Sequence, residues 1–161
     1  MHPNAALLHR LFSALDRHDH WAMASCYHPD ATFRDIAFDL RGKRKIHSMW
    51  HMICESDIRA KFKVIHADDE EGRVRVVDTY TFGATKVAPK RGRPVHNIVQ
   101  SRLRFRDGLI IEHRDACDAR AWAKEALGGP IGFLAGRIRF LRSWTARKKL
   151  KKFVDAHFEY R

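Results

Sequence analysis

Apolar residues recur with a period near 3.6 in the first third of the chain and a period of 2 in the middle. The change falls at residue 58. Residues 5–17 set Leu7, Leu8, Leu11, Phe12 and Leu15 on one stripe, the spacing of an amphipathic helix with Asn4 as its N-cap. His18-Asp19-His20 reads as a polar turn. Trp21–Tyr27 reads as a second, shorter helix ended by His28-Pro29-Asp30, because proline disfavours helix in the residue before it. Ala31–Leu40 is β-branched and aromatic enough for a short irregular strand, and Arg41-Gly42-Lys43 for a turn. Lys45–Glu55 returns to helical spacing through Ile46, Met49, Trp50 and Ile53.

From residue 58 the chain alternates. Ile58–Ala67 is a strand and Asp68–Gly72 a turn. Arg73–Phe82 puts Val74, Val76, Asp78, Tyr80 and Phe82 on one face. A long basic connection, Gly83–Pro94, leads to Val95–Arg106, whose inner face is Val95, Asn97, Val99, Ser101, Leu103 and Phe105. Asp107-Gly108 marks a hairpin. Leu109–Cys117 then places Leu109, Ile111, His113, Asp115 and Cys117 together. The result is an antiparallel meander with one buried and one wetter face. Residues 119–127 are helical again and Gly128-Gly129-Pro130 stops them. The tail carries Ile138, Leu141, Trp144, Leu150, Phe153 and Phe158 among basic residues and reads as one or two amphipathic helices. Helices and sheet segregate along the chain, so the class is α+β, with a domain over residues 1–127 and a basic helical extension over 128–161.

Composition narrows the classes. At 161 residues, 45% hydrophobic, the chain suits one domain with a real core rather than disorder. The apolar runs are too short and too interrupted by charge for a transmembrane helix, and the N-terminus lacks the pattern of a secretory signal. Cys26, Cys54 and Cys117 are odd in number and far apart, which fits a reduced, cytoplasmic setting better than a disulfide framework. The net charge of +12 is uneven: residues 129–161 hold nine basic and two acidic side chains, or +7. That tail could reach an anionic membrane surface, but its bland reading is a solvated basic face over a packed apolar one. No nucleic-acid module is visible, so nucleic acid is not an expected partner.

Charged groups on an apolar strand face are buried at a cost unless paired or functional. His113 and Asp115, two apart on one strand, point the same way. A carboxylate beside an imidazole can orient it and raise its basicity, as an acid–base pair requires. The competing reading is a satisfied polar network of Asp115, His113 and Asn97 inside the sheet. Asp78, Asn97, Ser101, Trp50 and Tyr80 are the candidate substrate-binding residues. His47 and His51 are four apart on a helix, a chelating spacing, yet no glutamate follows His47 and the face offers no third ligand, so no metal is expected. Trp21, Trp50 and Trp122 read as core residues.

The order of elements, with Ala6–Leu15, His20–Tyr27, His28-Pro29-Asp30-Ala31-Thr32-Phe33-Arg34-Asp35, Leu40-Arg41-Gly42 and Phe105–Asp115, resembles the nuclear transport factor 2-like superfamily. Its members include ketosteroid isomerase, SnoaL-like polyketide cyclases and limonene-epoxide hydrolase. The resemblance spans about residues 5–127, and the tail looks like an extension seen in SnoaL-like proteins. It implies a cone: a curved antiparallel sheet wrapped on three N-terminal helices, with a pocket inside. It also implies a homodimer, a small apolar ligand and no cofactor. The isomerase's general base falls on Asp35, the third candidate catalytic residue beside His113 and Asp115. Its oxyanion-hole positions fall on Leu11 and Ser101, which cannot serve, so steroid isomerisation by that route is not expected. The epoxide hydrolase's two aspartates fall near Asp78 and Asp115, but the position of its bridging arginine is Val76. The resemblance thus implies a ligand-binding cone that acts as an isomerase, cyclase or hydratase. The alternative is a ligand-carrying or protein-association module.

Overall fold

A computed structural model describes residues 1–82, 92–128 and 139–160, with side chains from Trp144 onward in the last segment. The Gly83–Pro94 connection and the stop at Gly129-Pro130 fall largely or wholly outside the described residues, as do Ile138 and the side chain of Leu141. Helix α1 spans Pro3–Asp16 and buries Leu7, Leu8, Leu11, Phe12 and Leu15. Its N-cap is His2, not Asn4. The His2 ring accepts the Asn4 N–H at 3.2 Å, which frees the Asn4 amide to donate to the Asp68 carbonyl at 2.8 Å. Helix α2 covers only His20–Ser25 and is capped by the Asp19 carboxylate.

The first strand corrects the sequence reading. β1 runs Tyr27–Arg34, so Tyr27 begins a strand rather than ending a helix, and Pro29 lies within it. Proline removes a ladder donor. It is tolerated because β1 pairs with its parallel neighbour at Tyr27 and again only from Thr32, leaving Pro29 and Asp30 exposed in the gap. A short β2, Asp39–Arg41, follows, then α3, Lys43–Cys54.

Strands β3 (Arg59–Ala67), β4 (Glu71–Phe82), β5 (Arg93–Arg106) and β6 (Leu109–Cys117) form the expected meander. The six strands make one curved, unclosed sheet in the order β2-β1-β6-β5-β4-β3. Every neighbouring pair is antiparallel except β1 with β6, because β1 enters the sheet ahead of the meander and closes onto its last strand. Extra residues bend the sheet. Val64 and His66 face consecutive residues of β4, which leaves Ile65 bulged and exposed. Arg104 and Phe105 face Glu112 and Ile110, so Ile111 is the bulged residue and Ile110, fully buried, takes the inward place that strict alternation gives to Ile111. Asp107 (φ 52°) and Gly108 (φ 71°) turn this hairpin with both residues in the left-handed region.

Helix α1 presses on the sheet at Gly72, where a Cβ would lie 2.7 Å from Leu8 Cδ1 and 2.9 Å from Phe105 Cζ. α3 covers β1, and α4 (Ala119–Leu127) covers β5. The last helix, α5 (Arg139–Ala156), packs on α3, where Phe153 meets His51, and adds Leu150 to the core with Ala146 and Val154 packed against it; a 3-10 turn, Phe158–Tyr160, follows with Tyr160 buried. Its Lys148, Lys149, Lys151 and Lys152 are exposed. Of the tryptophans read as core, Trp50 is buried and Trp122 half-buried, but Trp21 is 65% exposed: α2 turns it outward against His47.

Candidate active site

The inner face of β4, β5 and β6 carries the polar residues that alternation singles out. Register decides which of them meet. Ser101 faces Asp115 across β5–β6, His113 lies between Leu103 and Phe33 on its two neighbouring strands, and Asp78 faces Asn97. His113 is fully buried, with Phe33, Phe12 and Trp50 packed round its ring.

These groups form one chain of hydrogen bonds. Trp50 Nε1 donates to the Tyr27 hydroxyl at 3.0 Å, and Tyr27 is bonded to His113 Nδ1 at 2.7 Å. His113 Nε2 meets Asp115 Oδ1 at 2.8 Å, and the Ser101 hydroxyl donates to the same oxygen at 2.5 Å. The Asp115 carboxylate can only accept, which calls for a hydrogen on His113 Nε2 and leaves Nδ1 to accept the Tyr27 proton. A neutral His113 therefore carries its hydrogen on Nε2 and gives it to Asp115. Burial pushes the Tyr27 phenol well above its ordinary range and keeps it a donor. Asp115 Oδ2 takes no part in this chain, and the side chain keeps 16% exposure.

Two further carboxyls feel the Asp115 charge. Asp78 is pushed up to about 7, first by burial and then by Asp115, and its Oδ1 is buried with no hydrogen-bond partner among the described residues. Asp35, in the loop between β1 and β2, accepts the N–H groups of Ala37 and Phe38 at 2.7 and 2.5 Å. Burial outweighs those bonds and, with Asp115, raises it to about 6. The Tyr80 hydroxyl accepts from Trp122 Nε1 at 2.5 Å, and burial lifts its phenol to about 12. The interior therefore holds, in Asp78, a carboxyl that still carries a proton near neutrality and that feels the Asp115 charge. A carboxyl kept neutral by burial in this way can serve as an acid.

Of the sequence candidates, His113, Asp115, Ser101 and Trp50 join one network. Asp78 and Asn97 sit side by side on neighbouring strands, Asp35 is fixed by its own loop, and Tyr80 is tied to α4. Val76, at the position of the epoxide hydrolase's arginine, is buried in the core. Tyr27 escaped the sequence reading because its role depends on beginning a strand beside β6. A cleft of about 510 Å³ opens beside Tyr80, Val95 and Asp57, and another of about 430 Å³ beside Trp21, Lys43 and Tyr160. Neither is lined by Asp115. Among the described residues, the trio spaced to hold a metal ion is His51, His157 and Glu159, outside this network.

Residues 8–113 match the SnoaL-like domain. Curated proteins give no match. Solved structures do. An M. tuberculosis LEH-like epoxide hydrolase aligns at 18% identity and TM-score 0.61, over 82% of this chain and 95% of its own. A candidate polyketide cyclase of Xanthomonas campestris pv. campestris aligns at 16% and 0.64, over 76% and 96%. IdmH of Streptomyces antibioticus, another candidate polyketide cyclase, aligns at 22% and 0.63, over 80% and 100%. At such identities the likeness is one of fold.

Proposed function

The chain belongs to the SnoaL-like family, and from that premise we propose that its cone binds a small, largely apolar molecule and carries out acid–base chemistry on it. The observation that carries the reading is Asp78, a buried carboxyl with an unpartnered oxygen, within range of the Asp115 charge. Asp115 takes a proton from water or from an acidic carbon, and His113 orients Asp115. Asp78, in its neutral form, gives a proton to the oxygen that gains charge. Asn97 positions the substrate beside Asp78, and Asp35 supplies a second carboxyl. One proton enters and one leaves, so no redox partner is needed. Hydration of an epoxide, cyclisation and isomerisation all fit this exchange. In the same reading residues 1–127 form the working unit, 128–161 are an extension docked on α3, and the protein works in the cytoplasm as a homodimer.

A thermal-shift screen of small apolar compounds, run on the wild type and on Asp115→Asn, tests the reading. A compound that stabilises the wild type and shifts the variant less supports it, and turnover of that compound should fall about 10²–10⁴-fold in the variant. Equal shifts in both proteins would remove Asp115 from the site. Light scattering that returns a monomer mass would remove the dimer.

A further inference from the structure

The tail brings two ligand-type side chains against a third on α3. His51 projects from the last turns of α3, while His157 follows the last residue of α5 and Glu159 lies in the 3-10 turn after it. Their donor atoms all lie within 4.8 Å of one another. His51 Nδ1 stands 4.0 Å from Glu159 Oε1 and is bonded to the Tyr160 hydroxyl at 3.0 Å, a bond that an ion held by Nδ1 would displace, and the rings of His51 and His157 are centred 5.0 Å apart. Donors round a tetrahedral zinc sit about 3.3 Å apart, given Zn–N and Zn–O bonds of about 2.0–2.1 Å, so side-chain shifts of the order of 1 Å would close the set.

The surroundings favour an ion here. His157 Nδ1 lies 2.8 Å from the Phe153 carbonyl, which can only accept. Nδ1 therefore carries the hydrogen and Nε2 keeps its lone pair, the outer-shell arrangement that orients a metal-binding imidazole. Phe153 stacks on His157 at 4.0 Å and holds the ring. His20 lies flat on His51 at 3.7 Å, so stacking holds the His51 ring. The i, i+4 partner, His47, is already engaged: its Nε2 meets His20 Nδ1 at 2.8 Å. The third ligand that the helix face lacks is supplied by a segment more than a hundred residues away.

We propose that His51, His157 and Glu159 form a binding site for a divalent transition-metal ion of the zinc type, which fastens the C-terminal turn to α3. Two imidazoles and one carboxylate suit zinc or cobalt better than magnesium or calcium, which prefer oxygen alone. Three protein ligands leave a fourth position for water. The ion bridges elements distant in sequence, so its binding should make the tail harder to open.

The test uses the untagged full chain, stripped with a chelator and titrated with zinc by calorimetry. One equivalent should bind, and Glu159→Gln and His157→Gln should each weaken binding about tenfold or more. His66→Gln, a histidine on β3 outside the trio, should leave it unchanged. Cobalt in the wild type should show the visible absorption of a four-coordinate site and lose it in Glu159→Gln. Tryptic cleavage at Lys151 and Lys152, exposed on α5, should slow with zinc in the wild type only. Circular dichroism checks that each variant is folded. Absence of zinc binding by the wild type, or affinity within twofold of it in both trio variants, overturns the site. Binding that leaves tryptic cleavage unchanged overturns the fastening.

Discussion

Replacing Tyr27 with Phe removes one oxygen from a fully buried position and leaves the ring in place, parallel to His113 at 6.1 Å. That oxygen serves two neighbours: it accepts from Trp50 Nε1 and is bonded to His113 Nδ1. Each buried polar group left without a partner costs about 1–3 kcal/mol. The phenylalanine variant no longer has to bury a hydroxyl, which offsets part of the loss, so the net cost is about 2–4 kcal/mol. For a chain of this length each kcal/mol moves the melting midpoint by about 2–4 °C, so the variant should melt roughly 5–15 °C below the wild type. Urea unfolding followed by circular dichroism should show a lower midpoint at an unchanged m-value. A double-mutant cycle sharpens the test. Trp50→Phe removes the indole that donates to the same oxygen, so the double variant should cost less than the sum of the singles, by at least about 0.5 kcal/mol. A Tyr27→Phe cost below about 0.5 kcal/mol, or strict additivity with Trp50→Phe, would refute the chain of bonds from indole to imidazole.

The folded-state pKa of Asp78, about 7, lies above its ordinary 3.8, so between those values the folded protein holds a proton the unfolded chain has released. Its contribution therefore falls as pH rises from 4 through 7, by on the order of 4 kcal/mol at most. Asp78→Asn should flatten that part of the profile, read as the difference between melting midpoints at pH 5 and pH 8, and an identical difference in both proteins would refute the assignment. Asp35, raised to about 6, acts in the same direction over a narrower window, so Asp35→Asn should flatten the profile less than Asp78→Asn does. Gly72→Ala sets a Cβ 2.7 Å from Leu8 and 2.9 Å from Phe105, and chemical denaturation should show a loss of about 1–3 kcal/mol from overpacking. A neutral change there would mean that α1 does not bear on β4.

Most of the fold was legible because faces are local. The alternation of Val74, Val76, Asp78 and Tyr80 states which side chains share a side, and no distant contact is needed to read it. Where a bulge intervenes the rule shifts by one residue, as at Ile110 and Ile111, and bulges carry no comparable mark in the residue pattern. Partners are not local at all. His113 and Asp115 could be paired from their spacing of two. The Tyr27 hydroxyl, 86 residues before His113, could not, because the contact exists only once β1 lies beside β6. His51 likewise reads as half of an incomplete helical pair until the tail, 109 residues away at Tyr160, folds back on α3. Both centres therefore combine a half that local period exposes with a half that strand order and tail docking supply. It follows that Tyr27→Phe, which spares every inner-face residue that alternation picks out, should nonetheless change how His113 holds Asp115.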